Sequence, residues 1–296
     1  MDLNIIINAN TEKSEIEHLL ETAFELGYGT VALNTIVNSS ELSGKNLSIP
    51  EPKLIDFKVK STKEFRVLNR ITASIEDTIH SHHFLRSSVT KKYDIVALQP
   101  IGDKMIQHAC SLSDIDIISL NLTESLGYYL KRTSVGLATS KDICFEITYA
   151  PCLRNQSSRR MLIGNAQLVV EVTKGKNVFV SSGATRSMEL RSVEDVMNLG
   201  LLFGFQKNQA EASVKKVGKF VLKHARTRNE TGCGYVSLTG MFRLPKHQGW
   251  IVNACKVPKP LETSSQKRTI SEVLNAKENK KKKSKSEKKF KEECLT

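Results

Sequence analysis

Three groups of side chains in the 296-residue sequence have types and spacings that bear on chemistry. The first is His80-Ser81-His82-His83, where closely spaced imidazoles can ligate zinc or manganese. A catalytic metal site takes further ligands from other strand ends, and the nearest carboxylates, Glu76 and Asp77, have no spacing that fixes a ligand set. The cluster reads as histidines of a loop or helix start. The second group, Ser181-Ser182-Gly183-Ala184, follows an apolar run. Its backbone N–H groups suit a phosphate, and a plain strand-to-helix turn accounts for it more simply. No G-x-S-x-G elbow and no Walker A loop occurs, so the signatures of acyl transfer and P-loop chemistry are missing.

The third group is basic and says most. Arg159-Arg160, Lys174-Gly175-Lys176-Asn177, Arg186 and Arg191 fall within residues 159–191, which hold only two carboxylates, Glu171 and Glu189. Gly175 allows close backbone approach between two lysines, and arginine can take phosphate bidentately, so these residues are the leading RNA contacts. Arg70, Arg86, Lys131 and Arg132 are secondary ones. The charge balance agrees. The whole chain carries +13, but residues 1–150 sum to −4, residues 151–276 to +12, and residues 277–296 to +5. A half-chain of one sign implies a polyanionic partner, nucleic acid ahead of an anionic membrane.

The elements that must position these groups follow from periodicity. Leu3 to Asn8 is a β-rich run, Ser14-Glu15-Ile16-Glu17 has capping-box form, and Ile16, Leu19, Leu20, Ala23 and Phe24 make a helical apolar stripe that Gly27 ends. Thr30 to Leu33 then completes a strand, helix, strand unit. Strand-like runs recur at Phe65–Ile75, Asp94–Leu98, Ile115–Leu120, Ser134–Ala138, Cys144–Tyr149 and Asn177–Ser181, with helices predicted at Lys104–Leu112 and Ser157–Val172. Continuous apolar strands alternating with helices indicate an α/β fold: a parallel sheet closed as a TIM-barrel-like (β/α) barrel of about eight strands. Two more helices are predicted: Ser192–Phe203, capped by Ser192 and Asp195, and Gln209–His224, with Ala210, Val214, Val217 and Val221 on one face and Lys215, Lys216, Lys219 and Lys223 on the other.

Residues 1–228 thus form the barrel domain, 229–259 an unassigned extension, and 260–296 a disordered Lys-rich tail whose Lys280, Lys281, Lys282, Lys283 and Lys285 have the form of a nuclear-localisation run. Six cysteines without a C-x-x-C pair, an N-terminus without a basic n-region and no apolar run near the ~18 residues of a membrane span point to an intracellular chain with reduced thiols and no membrane contact.

Several ordered segments together resemble one family, the thirty-kilodalton protein subunit of eukaryotic and archaeal ribonuclease P and of ribonuclease MRP. They are Asp2-Leu3-Asn4, LGYGTVALNTIV (Leu26 to Val37), RVLNRIT with Arg70, YDIVALQP (Tyr93 to Pro100), CFEITYAP (Cys144 to Pro151) and GKNVFVSSGATRSMELRSVEDVMNLGLLFGF (Gly175 to Phe205). The resemblance implies a barrel related to the polymerase and histidinol phosphatase (PHP) phosphoesterases, in which Asp2-Leu3-Asn4 stands where that superfamily has metal-binding histidines. It implies a noncatalytic subunit without a cofactor of its own, in the nucleus and nucleolus. The partners implied are the ribonuclease P or MRP RNA, other protein subunits of those particles and, indirectly, precursor tRNA. Removal of the tRNA 5′ leader would then be done by the RNA with bound Mg²⁺. The alternative from another class is a metal-dependent PHP-type phosphoesterase using His80 to His83. A third, a basic helix lying on anionic lipid, would use Gln209 to His224.

Overall fold

The computed structural model describes residues 1–8, 11–42, 49–53, 65–126 and 129–230, together with Trp250. Two compact units divide the chain, Met1–Leu238 and Thr239–Thr296. Apart from Trp250, the second lies outside the described residues, as do the tail lysines Lys280 to Lys285.

Seven parallel strands run in sequence order around the first unit: β1 (Asp2–Ile6), β2 (Thr30–Val37), β3 (Arg66–Ile75), β4 (Ile95–Pro100), β5 (Ile117–Ser119), β6 (Cys144–Thr148) and β7 (Val178–Ser181). Beyond β7 the chain closes on β1 through Gly183 and Ala184. Gly183 N donates to Asn4 O and Ile6 N to Ala184 O, both at 2.8 Å, which makes a nearly closed barrel of the TIM type. The helices are α1 (Lys13–Glu25), α2 (Ser39–Leu42), α3 (Thr78–Arg86), α4 (Asp103–Ser111), α5 (Arg132–Ser140), α6 (Ala150–Arg154), α7 (Gln156–Thr173), α8 (Val193–Leu202), α9 (Lys207–Lys215) and α10 (Val217–Glu230).

Helix α1 buries four residues of the predicted stripe, Ile16, Leu19, Leu20 and Ala23, against Val31 and Leu33, while the fifth, Phe24, is half-buried and meets the Phe65 ring edge-on. It ends at Gly27, whose φ of 88° is open to glycine and whose N–H donates to Phe24 O. The predicted capping box does not form: the helix starts at Lys13 behind Glu12, and Ser14 lies inside its first turn. At α8 the reading holds, because Ser192 Oγ accepts from Asp195 N.

Two elements differ from expectation. Ser134–Ala138, read as a strand, lies inside α5. An apolar run of five residues has no periodicity to separate strand from helix, and its loss takes the barrel from about eight strands to seven. The single helix expected over Gln209–His224 is two, with a break at Lys216. Val217 accordingly leaves the stripe of Ala210 and Val214, which stays with α9.

The break lets α10 close the N-terminal mouth of the barrel. Its Val221 and Ala225 pack on a layer that every strand supplies: Leu3, Ala32, Leu68, Ile95, Ala97, Ile117, Cys144 and Phe179. A buried carboxylate fixes the helix rotation. Asp116 takes His224 Nδ1 at 2.7 Å on one oxygen and Arg228 Nε at 3.1 Å on the other, and Arg228 also donates to Asp94 O at 3.1 Å. Ridges of Val, Ile and Phe on the outer strand faces meet α2 to α9 in the largest core cluster.

Candidate functional site

Above the apolar layer, the inward positions of the strands turn polar. Arg70, on β3, is wholly buried, and its guanidinium donates to both oxygens of Glu146 on β6 at 2.5 Å and to Leu3 O at 2.8 Å. Arg70 Nε donates to Thr72 Oγ1, Thr72 Oγ1 to Asn34 Oδ1 and Asn34 Nδ2 to Asn4 Oδ1, while Ser181 Oγ donates to Glu146 Oε1. The charges and amides of this layer are satisfied within it. Burial alone would raise the Glu146 carboxyl; the Arg70 guanidinium beside it, with the Ser181 and Ser119 hydroxyls, holds it below the usual carboxylate range. Arg70 is therefore no RNA contact: strand alternation turns it into the barrel, where its charge serves Glu146.

Asp2 and Asn4 occupy the position at which the resemblance implied superfamily metal ligands. Asn4 belongs to the hydrogen-bonded chain just described. Asp2 is buried, accepts from Asn4 N and Ser182 N through Oδ1, and leaves Oδ2 without a partner among the described residues. Burial pushes its carboxyl up, against those hydrogen bonds. The Ser181–Ala184 loop is a structural turn and not an open phosphate cradle. Ser182 N faces Asp2, Gly183 N faces Asn4 O and Ala184 N faces Ser182 Oγ, so its donors are already used.

The predicted basic cluster divides between opposite ends of the barrel. At the C-terminal end stand Arg186 and Arg191 in the loop between β7 and α8, Arg159 and Arg160 in the first turn of α7, and Lys131 and Arg132 at the start of α5. Arg159, Arg160, Arg186, Lys131 and Arg132 are exposed, and among the described residues none has an ion pair. Arg191 is half-buried and is engaged with its own loop, donating to Met188 O and Leu190 O. Arg154, which the cluster as read from the sequence omits, clamps that loop by donating to both oxygens of Glu189 at 2.6 Å.

Lys174 and Lys176 lie at the far end of α7 (Gln156–Thr173), whose rise separates Lys174 from Arg159 by about 22 Å. Arg86, at the end of α3, shares their side of the barrel. Gly175 does allow a close approach, but by protein: a Cβ there would stand 2.7 Å from the Gln209 side chain, which donates to Lys174 O. The Gly175 N–H points back to Val170 O, closing the helix.

Along α3, His82 and His83 are exposed and His80 is half-buried. The His82 ring meets the His108 ring edge-on, with centroids 5.6 Å apart, and Ser81 Oγ lies 2.8 Å from His108 Nε2. Burial, then His82, pulls the His108 imidazole down. Among the described residues no group of three or more His, Cys, Asp or Glu is placed to hold a metal ion, so the phosphoesterase alternative lacks a ligand set there. Among them, too, no helix is long and apolar enough to cross a membrane.

Fold and site together define a class: a parallel α/β barrel with a sealed polar interior and unpaired cations on its rims. The model of the RNase P subunit p30 family matches residues 1–230, and the chain belongs to that family. Ribonuclease P protein subunit p30 of Mus musculus is 34% identical over 262 residues, covering 86% of this chain and 96% of that protein. The probable ribonuclease P protein subunit 3 of Schizosaccharomyces pombe is 34% identical over 232 residues, covering 78% and 95%. Ribonuclease P/MRP protein subunit RPP1 of Saccharomyces cerevisiae is 26% identical over 217 residues, covering 72% and 73%. A chain from a cryo-EM structure of archaeal ribonuclease P with mature tRNA shares the fold, with a TM-score of 0.55 at 13% identity, covering 80% of this chain and 98% of that one.

Proposed function

We propose that this chain is a noncatalytic, RNA-binding protein subunit of ribonuclease P and ribonuclease MRP, serving 5′-leader removal from precursor tRNA and rRNA processing. Family membership supports the subunit role. The observation that carries the RNA-binding part is the row of exposed, unpaired cations at the C-terminal rim, Lys131, Arg132, Arg159, Arg160 and Arg186. None of them has an ion pair among the described residues, although Arg159 Nε also donates to Cys152 O at 2.8 Å, and phosphates are the partner that such charge fits, since each neutralised phosphate releases counterions. The reading as noncatalytic draws support from the interior: Arg70, Glu146, Asn4 and Asn34 bind one another. Chemistry then rests with Mg²⁺ on the catalytic RNA, and the protein screens phosphates that would otherwise hold RNA helices apart. The partners are that RNA, neighbouring protein subunits and, indirectly, precursor tRNA; the place is the nucleus and nucleolus, with Lys280 to Lys285 as the address.

Affinity purification of the full chain from nuclear extract tests this. The ribonuclease P and MRP RNAs and 5′-leader cleavage are expected in the eluate, with cleavage lost after nuclease digestion of the RNA. A complex without RNA, or cleavage that survives its removal, would overturn the reading.

A further inference from the structure

The cations of α10 form a second surface, at the opposite end of the barrel from the rim just described. Lys219, Phe220, Lys223 and Arg226 recur at helical spacing along α10, Lys216 stands at the break just before it, and all are exposed, Phe220 to 59%. Their orientation is dictated from beneath. Val221 and Ala225 are embedded in the barrel mouth, and His224 and Arg228 are tied to Asp116, so the stripe has no other way to face than outward.

From Lys219 to Arg226 the stripe rises about 10 Å along α10, the span of two or so nucleotides, with Lys216 extending it at the break. Beside it opens a cleft with Leu68, Leu222 and Ala225 among its lining, and Arg66, Arg226 and Asp94 also line it. Nearby acids are committed elsewhere or few: Glu211 pairs with Lys215, Asp116 with His224 and Arg228, and Asp94 is the one carboxylate of the cleft. Lys216, Lys219, Lys223 and Arg226 have no ion pair among the described residues.

We propose that this face binds single-stranded RNA, the lysines holding consecutive phosphates and Phe220 stacking an unpaired base. It rests on the RNA-binding reading above and names a site and an RNA form that the reading does not. Charge decides the occupant. Residues 231–296 hold 15 basic against 6 acidic residues, a net of +9, so this chain supplies no polyanion of its own to match the stripe. Lipid is a poor match because the apolar face of α10 is inserted in the barrel and is not available to a bilayer. An exposed aromatic between cations is the arrangement that takes unpaired bases in a sequence-tolerant way.

The test uses the full chain with two probes, a fluorescein-labelled mixed-sequence single-stranded RNA and the blunt duplex of the same sequence. Phe220→Ala is expected to weaken single-strand binding about tenfold and to leave the duplex nearly unchanged. Combined Lys216→Gln, Lys219→Gln and Lys223→Gln is expected to weaken both and to flatten the slope of log affinity against log salt by about 2. Melting temperatures should stay at the wild-type value, because the side chains are exposed. Wild-type affinity of both variants for both probes, the result that docking of an acidic protein here would give, overturns this site. If an Arg159→Ala, Arg160→Ala, Arg186→Ala chain still loses affinity in the same experiment, the proposed function survives without the α10 face. If the wild-type chain binds neither probe, both fall together.

Discussion

Inside the barrel, Arg70 touches no solvent and donates to both oxygens of Glu146 at 2.5 Å, whereas Arg186 on the C-terminal rim is exposed and has no ion pair among the described residues. The same side chain does opposite work in the two regions. A buried guanidinium must be matched atom for atom, because an unmatched one carries a desolvation cost of several kcal/mol. An exposed one costs the fold nothing and remains available to a partner. The interior therefore specifies the barrel, and the rims specify what the barrel meets.

The comparison breaks most visibly inside. Glu146→Gln should cost about 3 to 5 kcal/mol of unfolding free energy in urea titration, since it strands the Arg70 charge. The double replacement Arg70→Met with Glu146→Leu should cost less than Glu146→Gln alone. If the single replacement proved neutral, the interior pair would not be holding the barrel. Next comes Asp116→Ala, which removes the acceptor shared by His224 and Arg228. A loss of about 3 kcal/mol is expected, with faster amide exchange concentrated in Val217–Glu230.

Protonation separates two interior carboxylates. Glu146 is held below its ordinary range, so its contribution is complete above about pH 4.3 and is lost as pH falls toward its lowered value. Asp2 runs the other way. Burial raises it, so it favours the fold in acid and that contribution fades as pH rises through the raised value. Asp2→Asn should accordingly be more stable than wild type at pH 7, by about 1 kcal/mol. Thermal melts should show the gap closing near pH 4, and a gap that widens in acid would refute the burial argument. The smallest effect belongs to the rim: Arg159→Ala, Arg160→Ala and Arg186→Ala should each move stability by no more than about 0.5 kcal/mol.

What the sequence reveals follows the same division. The α1 stripe, the Ser192 cap and all seven strands are legible because periodicity and capping are local. Ser134–Ala138 was not, since an unbroken apolar run has the same composition on a strand as on α5. Residues 159–191 looked like one basic patch because they are close in sequence; the length of α7 then carries Lys174 and Lys176 to the far end. Arg70 gave a weak signal in the alternation Leu68, Arg70, Thr72 on one face of β3, but only the barrel shows that face to be the inner one. Phe220 and Arg226 escaped notice although Lys216, Lys219 and Lys223 mark their helical row. The tie of Arg228 to Asp116 spans 112 residues of sequence and had no local trace at all.

The most direct measurement is the salt dependence of ribonuclease P RNA binding by three full-length chains: wild type, Arg159→Ala/Arg160→Ala/Arg186→Ala, and Glu146→Gln below its melting temperature. The account predicts that the rim variant melts like wild type but has a slope shallower by about 2, while Glu146→Gln melts lower and keeps the wild-type slope. A rim variant with the wild-type slope, or an interior variant that alone loses it, would contradict the division between a structural interior and an RNA-facing rim.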